Sequence, residues 1–198
     1  MNWTRWAVTA LVLTTLAAGA ASISCTATSK STQAAEDPIA RGRRITYTAG
    51  CMDCHTPGGL YGAPDTTRLL SGSELGWQGP WGVTFPRNLT PDSATGIGSW
   101  TEDQIVTAVR EGRRPDGSPL LPPMPWPMYA HMTDEDVHAL AAYLKSIPPV
   151  VHEMPKQQRP GEAPSHPALI FPAPPAWDAQ NLPPPPVAPA ASGERSGH

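Results

Sequence analysis

The chain has 198 residues, of which 39% are hydrophobic and only 16% charged, with a formal charge of −3, 26 Pro and 3 Cys. That length allows one domain with tails. Three Cys are too few for a disulfide-dense scaffold, and the mild acidity argues against nucleic acid as a partner, which would call for a clustered Lys/Arg excess. Pro is unevenly spread: Pro38 to Pro127 hold 12 and Pro148 to Pro189 hold 14. The average therefore describes a folded part followed by a Pro-rich tail.

Residues 1–25 read as a signal peptide. Arg5 is the only charge in residues 2–6, and Ala7 to Ser24 then run without one, rich in Ala, Leu, Val and Thr. Eighteen residues containing three Thr are marginal for a membrane-spanning helix, so an uncleaved anchor is the weaker alternative. Ala18-Gly19-Ala20 offers ordinary cleavage. Ser22-Ile23-Ser24-Cys25 resembles a lipoprotein signal, departing from the usual Leu at Ser22. Cys25 is also left over once the other two Cys are assigned, and lipidation would remove a free thiol from an oxidising compartment. Residues 26–35 are expected to be a flexible leader.

Asp37-Pro38 is an N-cap followed by Pro at the first helical position, predicting a helix to about Gly50 with Ile45 and Tyr47 as its best contacts. From Thr56 to Trp100 the Gly and Pro punctuation predicts loops and turns rather than strands. So long a stretch is unusual in a compact domain unless something large fills the middle. Thr101 to Gln104 form a capping box, starting a helix that buries Ile105, Ala108 and Val109 and closes at Gly112. Pro115-Asp116-Gly117 is a turn. Leu121 to Pro127 contains four Pro, which predict a stiff, non-helical segment. The last helix starts at Thr133, turns Val137, Leu140, Ala141 and Leu144 to one face, and stops at Pro148-Pro149. Residues 151–198 carry no apolar periodicity and are expected to be a disordered, Pro-rich tail.

Cys51-Met52-Asp53-Cys54-His55 carries the chemistry. Two Cys at i and i+3 share one side of a helical turn, and each thiol can add to a haem vinyl group. His55 follows directly, placing its imidazole toward the iron. Cys-x-x-Cys-His is the c-type haem attachment pattern, and export to the periplasm agrees with it. Zinc would need about four ligands. A redox Cys-x-x-Cys would expect a preceding strand, and a disulfide would leave His55 unexplained. For the opposite face of the iron, the candidates are Met124, Met128, Met132 and Met154, with His131, His138 and His152 as histidine options. Met124 is held between Pro123 and Pro125, which lowers its ordering cost. Met128 and Met132 also read as packing residues, and His138 as a surface histidine.

The chain resembles class I c-type cytochromes, and more closely the cytochrome c domains of membrane-bound alcohol, gluconate and aldehyde dehydrogenase cytochrome subunits. The resemblance rests on Cys51 to Thr56, Asn88 to Asp92, Thr95 to Trp100, Pro123 to Trp126 and Asp134 to Val150. It covers roughly residues 40–150. It implies an all-α class I cytochrome c fold over residues 36–150, with few helices and long loops around one covalently attached haem c. It implies that Cys51 and Cys54 bind the haem and that His55 and Met124 ligate the iron. It also implies that Tyr143-Leu144 lies on a last helix crossing the first near Tyr47, and that Arg87, Asn88 and Trp100 lie near the haem propionates. Trp77, Trp81, Trp100 and Trp126 are expected to line or shield the haem. Those dehydrogenase subunits usually carry three haem domains, whereas this chain has one attachment pattern.

The expected function is that of a periplasmic mono-haem electron carrier, not an enzyme. It would pass single electrons between a dehydrogenase-type donor and a respiratory acceptor such as a terminal oxidase. The alternative is a five-coordinate haem c protein acting as a gas or peroxide sensor or as a peroxidase-like enzyme, which needs an open distal side. Arg41, Arg43 and Arg44 form one basic cluster, and Arg110, Arg113 and Arg114 another. Both read as solvated faces that could steer an acidic partner.

Overall fold

The computed structural model describes residues 36–172. The signal, the Cys25 site, the leader and the end of the tail lie outside the described residues. Among the described residues there are five α-helices. They are α1 (Pro38–Thr48), α2 (Cys51–His55), α3 (Glu102–Glu111), α4 (Trp126–Tyr129) and α5 (Asp134–Ser146). Three short strands join them: β1 (Gly76–Gly79), β2 (Gly82–Thr84) and β3 (Ala168–Ile170).

Local signals set the helix ends. The Asp37 side chain accepts from the Ala40 N–H, with Pro38 in the first turn. Thr101 and Gln104 form both bonds of the capping box, and Gly112 ends α3 in the left-handed region at φ 65°. Thr133 caps α5, whose first turn carries Asp134, Glu135 and Asp136. The expected helix to Gly50 ends two residues earlier, at Thr48. Gly50 then takes φ 73° and restarts the chain as α2, a turn that favours glycine.

The core is where α1, α3 and α5 meet. Ile45, Ile105, Val109, Val137, Leu140, Ala141 and Leu144 form its centre. Helix α1 approaches α5 closely because Gly42 has no side chain. A Cβ there would strike the Ala139 carbonyl oxygen and the Tyr143 Cβ. The crossing matches the expected role of Tyr143, but Tyr47 stays half exposed beneath the Arg43 guanidinium, 5.9 Å from its ring centroid.

Three sequence expectations are corrected. The stretch from 56 to 100 is not all loop, and the fold is not purely helical. β1 and β2 pair antiparallel with Trp77 opposite Thr84, and β3 adds in parallel with Trp77 opposite Leu169, giving the order β2-β1-β3. Residues Trp126–Tyr129 do form a helical turn, because Pro127 falls in the first turn, where no N–H is missed. The tail from 151 to 172 is ordered against the domain, so the folded part extends past 150. Met154 is 3% exposed, Gln158 exchanges both backbone hydrogen bonds with Val83, and Phe171 stacks on Trp77 and Trp81 at 5.8 and 5.6 Å. The sequence carries no periodic signal here because a strap only a few residues wide buries isolated side chains, not a face.

Candidate functional site

Helix α2 is one and a half turns long and carries Cys51, Cys54 and His55 together. Both thiols are free. Burial pushes the Cys51 thiol up to about 11, with the neighbouring Cys54 and Asp53 adding to the effect. Burial raises Cys54 as well. Both are therefore neutral thiols at physiological pH. Among the described residues, no group of three or more His, Cys, Asp or Glu comes together as a metal cage.

The His55 Nδ1 lies 2.7 Å from the Arg87 carbonyl oxygen. A carbonyl can only accept, so Nδ1 carries the proton and Nε2 keeps its lone pair. Burial also favours the neutral ring, partly opposed by that same hydrogen bond. The imidazole is thus held neutral, with its Nε2 lone pair free to accept. Its backbone is held too: the Gly72 N–H donates to the His55 carbonyl at 2.8 Å. Next to it the Thr56 hydroxyl accepts from the Leu70 N–H at 3.0 Å.

The Met124 segment is tied on both sides of this turn. Before it, the Thr84 hydroxyl donates to the Pro122 carbonyl at 2.8 Å, and the Leu120 N–H donates to the Gly112 carbonyl at 2.7 Å. After it, the Trp126 ring packs on Gly112, where a Cβ would lie 2.6 Å from the indole. The Tyr129 hydroxyl then donates to the Ala49 carbonyl at 2.6 Å, two residues before Cys51. Met124 is half-buried. The other sulfur candidates are placed differently. Met128 is exposed, Met132 packs on the helical core, and Met154 packs on Gly72. His138 is exposed and bonds its own helix at Asp134, as expected of a surface histidine.

Leu69, Leu89, Trp100 and Val106 are apolar yet only partly buried, and with Cys51 they pack on the margin of the core. Sequence reasoning missed how Arg114 is used. It is half-buried, donating to the Pro119 carbonyl at 2.6 Å and to the Ser118 hydroxyl at 3.2 Å. Burial lowers its pKa, opposed by the Asp116 charge and helped by the nearby Arg87 charge. Neither guanidinium makes an ion pair among the described residues. Asn88, expected near the propionates, donates its amide to the Thr95 hydroxyl and to the Val150 and His152 carbonyls. Trp77 and Trp81 seat Phe171, so they anchor the tail.

The sequence model of the family described as Cytochrome c matches residues 39–148. The chain belongs to the cytochrome c family. It is 38% identical over 123 residues to the fructose dehydrogenase cytochrome subunit of Gluconobacter japonicus, covering 62% of this chain and 24% of that one. It is 34% identical over 113 residues to the alcohol dehydrogenase (quinone) cytochrome c subunit of Gluconobacter oxydans, covering 57% and 22%. It is 36% identical over 119 residues to the gluconate 2-dehydrogenase cytochrome c subunit of Pantoea cypripedii, covering 60% and 25%. The chain thus spans about a quarter of the length of these relatives. The family carries covalently bound haem c, and the residues of this cytochrome c domain fit that group. Two unpaired thiols stand one helical turn apart, an imidazole beside them is fixed in the ligating tautomer, and Cys51 packs against the same apolar core as Leu69, Leu89 and Trp100.

Proposed function

We propose that this chain is a mono-haem c-type electron carrier that serves a dehydrogenase, as its relatives' names describe for them. The observation that carries the reading is the Nδ1–H of His55 donated to the Arg87 carbonyl, beside two free thiols on the same helical turn. Cys51 and Cys54 would hold the haem covalently, and His55 and Met124 would ligate its iron. When bound, haem c supplies a one-electron Fe(III)/Fe(II) couple. The protein's own part is to fix the His55 tautomer, hold the Met124 segment between its two tethers, and keep water from the apolar margin. Arg87 and Arg114, near one another, would offer cations to the haem carboxylates. Met/His ligation raises the reduction potential and leaves no open position for a substrate, which favours transfer over catalysis.

The N-terminal segment supports export to the periplasm, with membrane attachment through lipid on Cys25. The electron acceptor is a respiratory protein of the terminal oxidase kind.

The test is expression with haem-attachment machinery. The denatured chain should keep the haem mass and stain for haem on a gel. The oxidised protein should show the weak near-infrared band of a Met sulfur ligand. Met124→Leu keeps the side-chain volume and should lose that band and admit carbon monoxide, while Met128→Leu keeps it. Haem that extracts into acidic organic solvent would overturn the attachment. A wild type that binds carbon monoxide readily would replace the carrier with a five-coordinate sensor or enzyme.

A further inference from the structure

The Arg87 carbonyl that fixes His55 belongs to a loop with no helix or strand to hold it. Part of what holds it comes from beyond residue 148, outside the stretch that matches the family. The Arg87 Nη1 donates to the Pro155 carbonyl at 3.2 Å. The Asn88 Nδ2 donates to the Val150 carbonyl at 2.8 Å. The Pro86 carbonyl, on the other side, accepts from the Ser73 N–H at 3.1 Å. Ser73 follows Gly72, whose N–H holds the His55 carbonyl. Gly72 takes φ 95°, and a Cβ there would lie 2.5 Å from the Met154 sulfur and 2.9 Å from the Pro86 oxygen. Met154 is 3% exposed in a stretch that is otherwise largely exposed, and it is not among the helical core residues. Its side chain is buried against Gly72, beside the Pro86 carbonyl, outside the helical core cluster.

We propose that the segment from Val150 to Pro155 is a positioning element for His55. By seating Met154 on Gly72 and tying Arg87 and Asn88, it fixes the carbonyl that accepts the Nδ1 proton and so sets how strongly the imidazole donates to iron. This rests on the haem reading above. The physical link is that a partner on the second ring nitrogen orients a ligating histidine and raises its basicity. A more basic imidazole stabilises Fe(III), so loosening the carbonyl weakens donation and raises the potential.

The experiment compares full-length haem-loaded wild type, Met154→Ala and Met154→Leu. Val137→Ala, in the helical core, reports what destabilisation alone does. Each is read by haem mass, melting temperature and the reduced-to-oxidised ratio at one fixed ambient potential. Met154→Ala should raise that ratio about three- to tenfold, the upper end being about 59 mV for one electron. The His55 Nδ1 proton should exchange faster with solvent. Met154→Leu, which refills the volume, should return both to wild type. If Met154→Ala lowers the melting temperature while its ratio moves no more than that of Val137→Ala, the segment is only a stabilising strap and the proposal is overturned. If Met154→Ala yields no folded protein, Met154→Val, which removes less volume, is read by the same criteria. A wild type without covalent haem overturns the haem reading and this one with it, whereas haem present with an unmoved ratio overturns this one alone.

Discussion

The helical half of the domain and the loop-and-strap half meet at His55, and they are held by different means. In the helical half, α1, α3 and α5 bury a continuous apolar cluster, with Val137 and Ala141 wholly enclosed. Their ends are fixed by Asp37, Thr101 and Thr133 within three residues of the groups they cap. In the other half the fully buried residues are largely polar: Thr56, Ser71, Asn88 and Thr90. Each is satisfied by a distant partner. The Thr90 hydroxyl accepts from the Val150 N–H at 3.1 Å, and the Thr95 hydroxyl accepts from the His152 N–H at 3.0 Å. Hydrophobic burial is roughly proportional to area and tolerant of detail, while a buried polar group costs its desolvation whenever a partner is lost. The helical half should therefore fail by steric conflict or cavity, and the loop half by single lost hydrogen bonds.

The largest expected effect tests the helical half. In Gly42→Ala the new methyl meets backbone and Cβ atoms of α5, which cannot rotate away. The helices must separate, costing more than about 3 kcal/mol, read as a large fall in the urea midpoint or loss of folded protein. Asn88→Ala tests the loop half. It removes the acceptor for the Thr90 N–H and hydroxyl and the donor to Val150. Leaving these groups buried and unmet should cost about 3 kcal/mol, with unchanged helix content by circular dichroism. If Asn88→Ala melts within a degree of wild type, the polar-network account of this half is wrong.

Phe171→Ala should cost about 2 kcal/mol, since a half-buried ring leaves two aromatic contacts. It should also speed proteolysis after residue 160, and unchanged proteolysis would mean that the tail is not held by this cluster. The smallest effect joins the helices electrostatically. The Arg41 guanidinium holds Asp136 below the usual carboxylate range, helped by the Thr133 hydroxyl. The folded pKa lies below the unfolded one, near 3.9. The pair therefore stabilises above that value, and the contribution fades as pH falls through the folded pKa. Asp136→Asn should melt slightly below wild type at pH 7, with the gap closing below about pH 4 and shrinking in high salt.

Much of the helical half was legible. Its caps, its apolar spacing and the stop at Pro148-Pro149 are all written within a few residues, and the structure places the ends accordingly. The Cys51, Cys54 and His55 set was legible too, because its spacing is itself the chemistry. The role of Arg114 was not. A cation in a charged run reads as solvated unless the fold brings a carbonyl such as that of Pro119 to it. The contact of Trp81 with Phe171 was not legible either, because large apolar side chains look alike in sequence until packing assigns their partner.

The sequence by itself determined the three long helices, the attachment pattern and the family, because each rests on neighbours a few positions apart. Only the tertiary structure decided where residues 151 to 171 go. The parallel pairing of β3 with β1 joins residues about ninety positions apart, and the Asn88 amide reaches Val150 across a separation of 62. A hydrogen bond carries no sequence spacing, and a single buried methionine makes no period. The fold alone shows that Met154 lies beside the loop that orients His55.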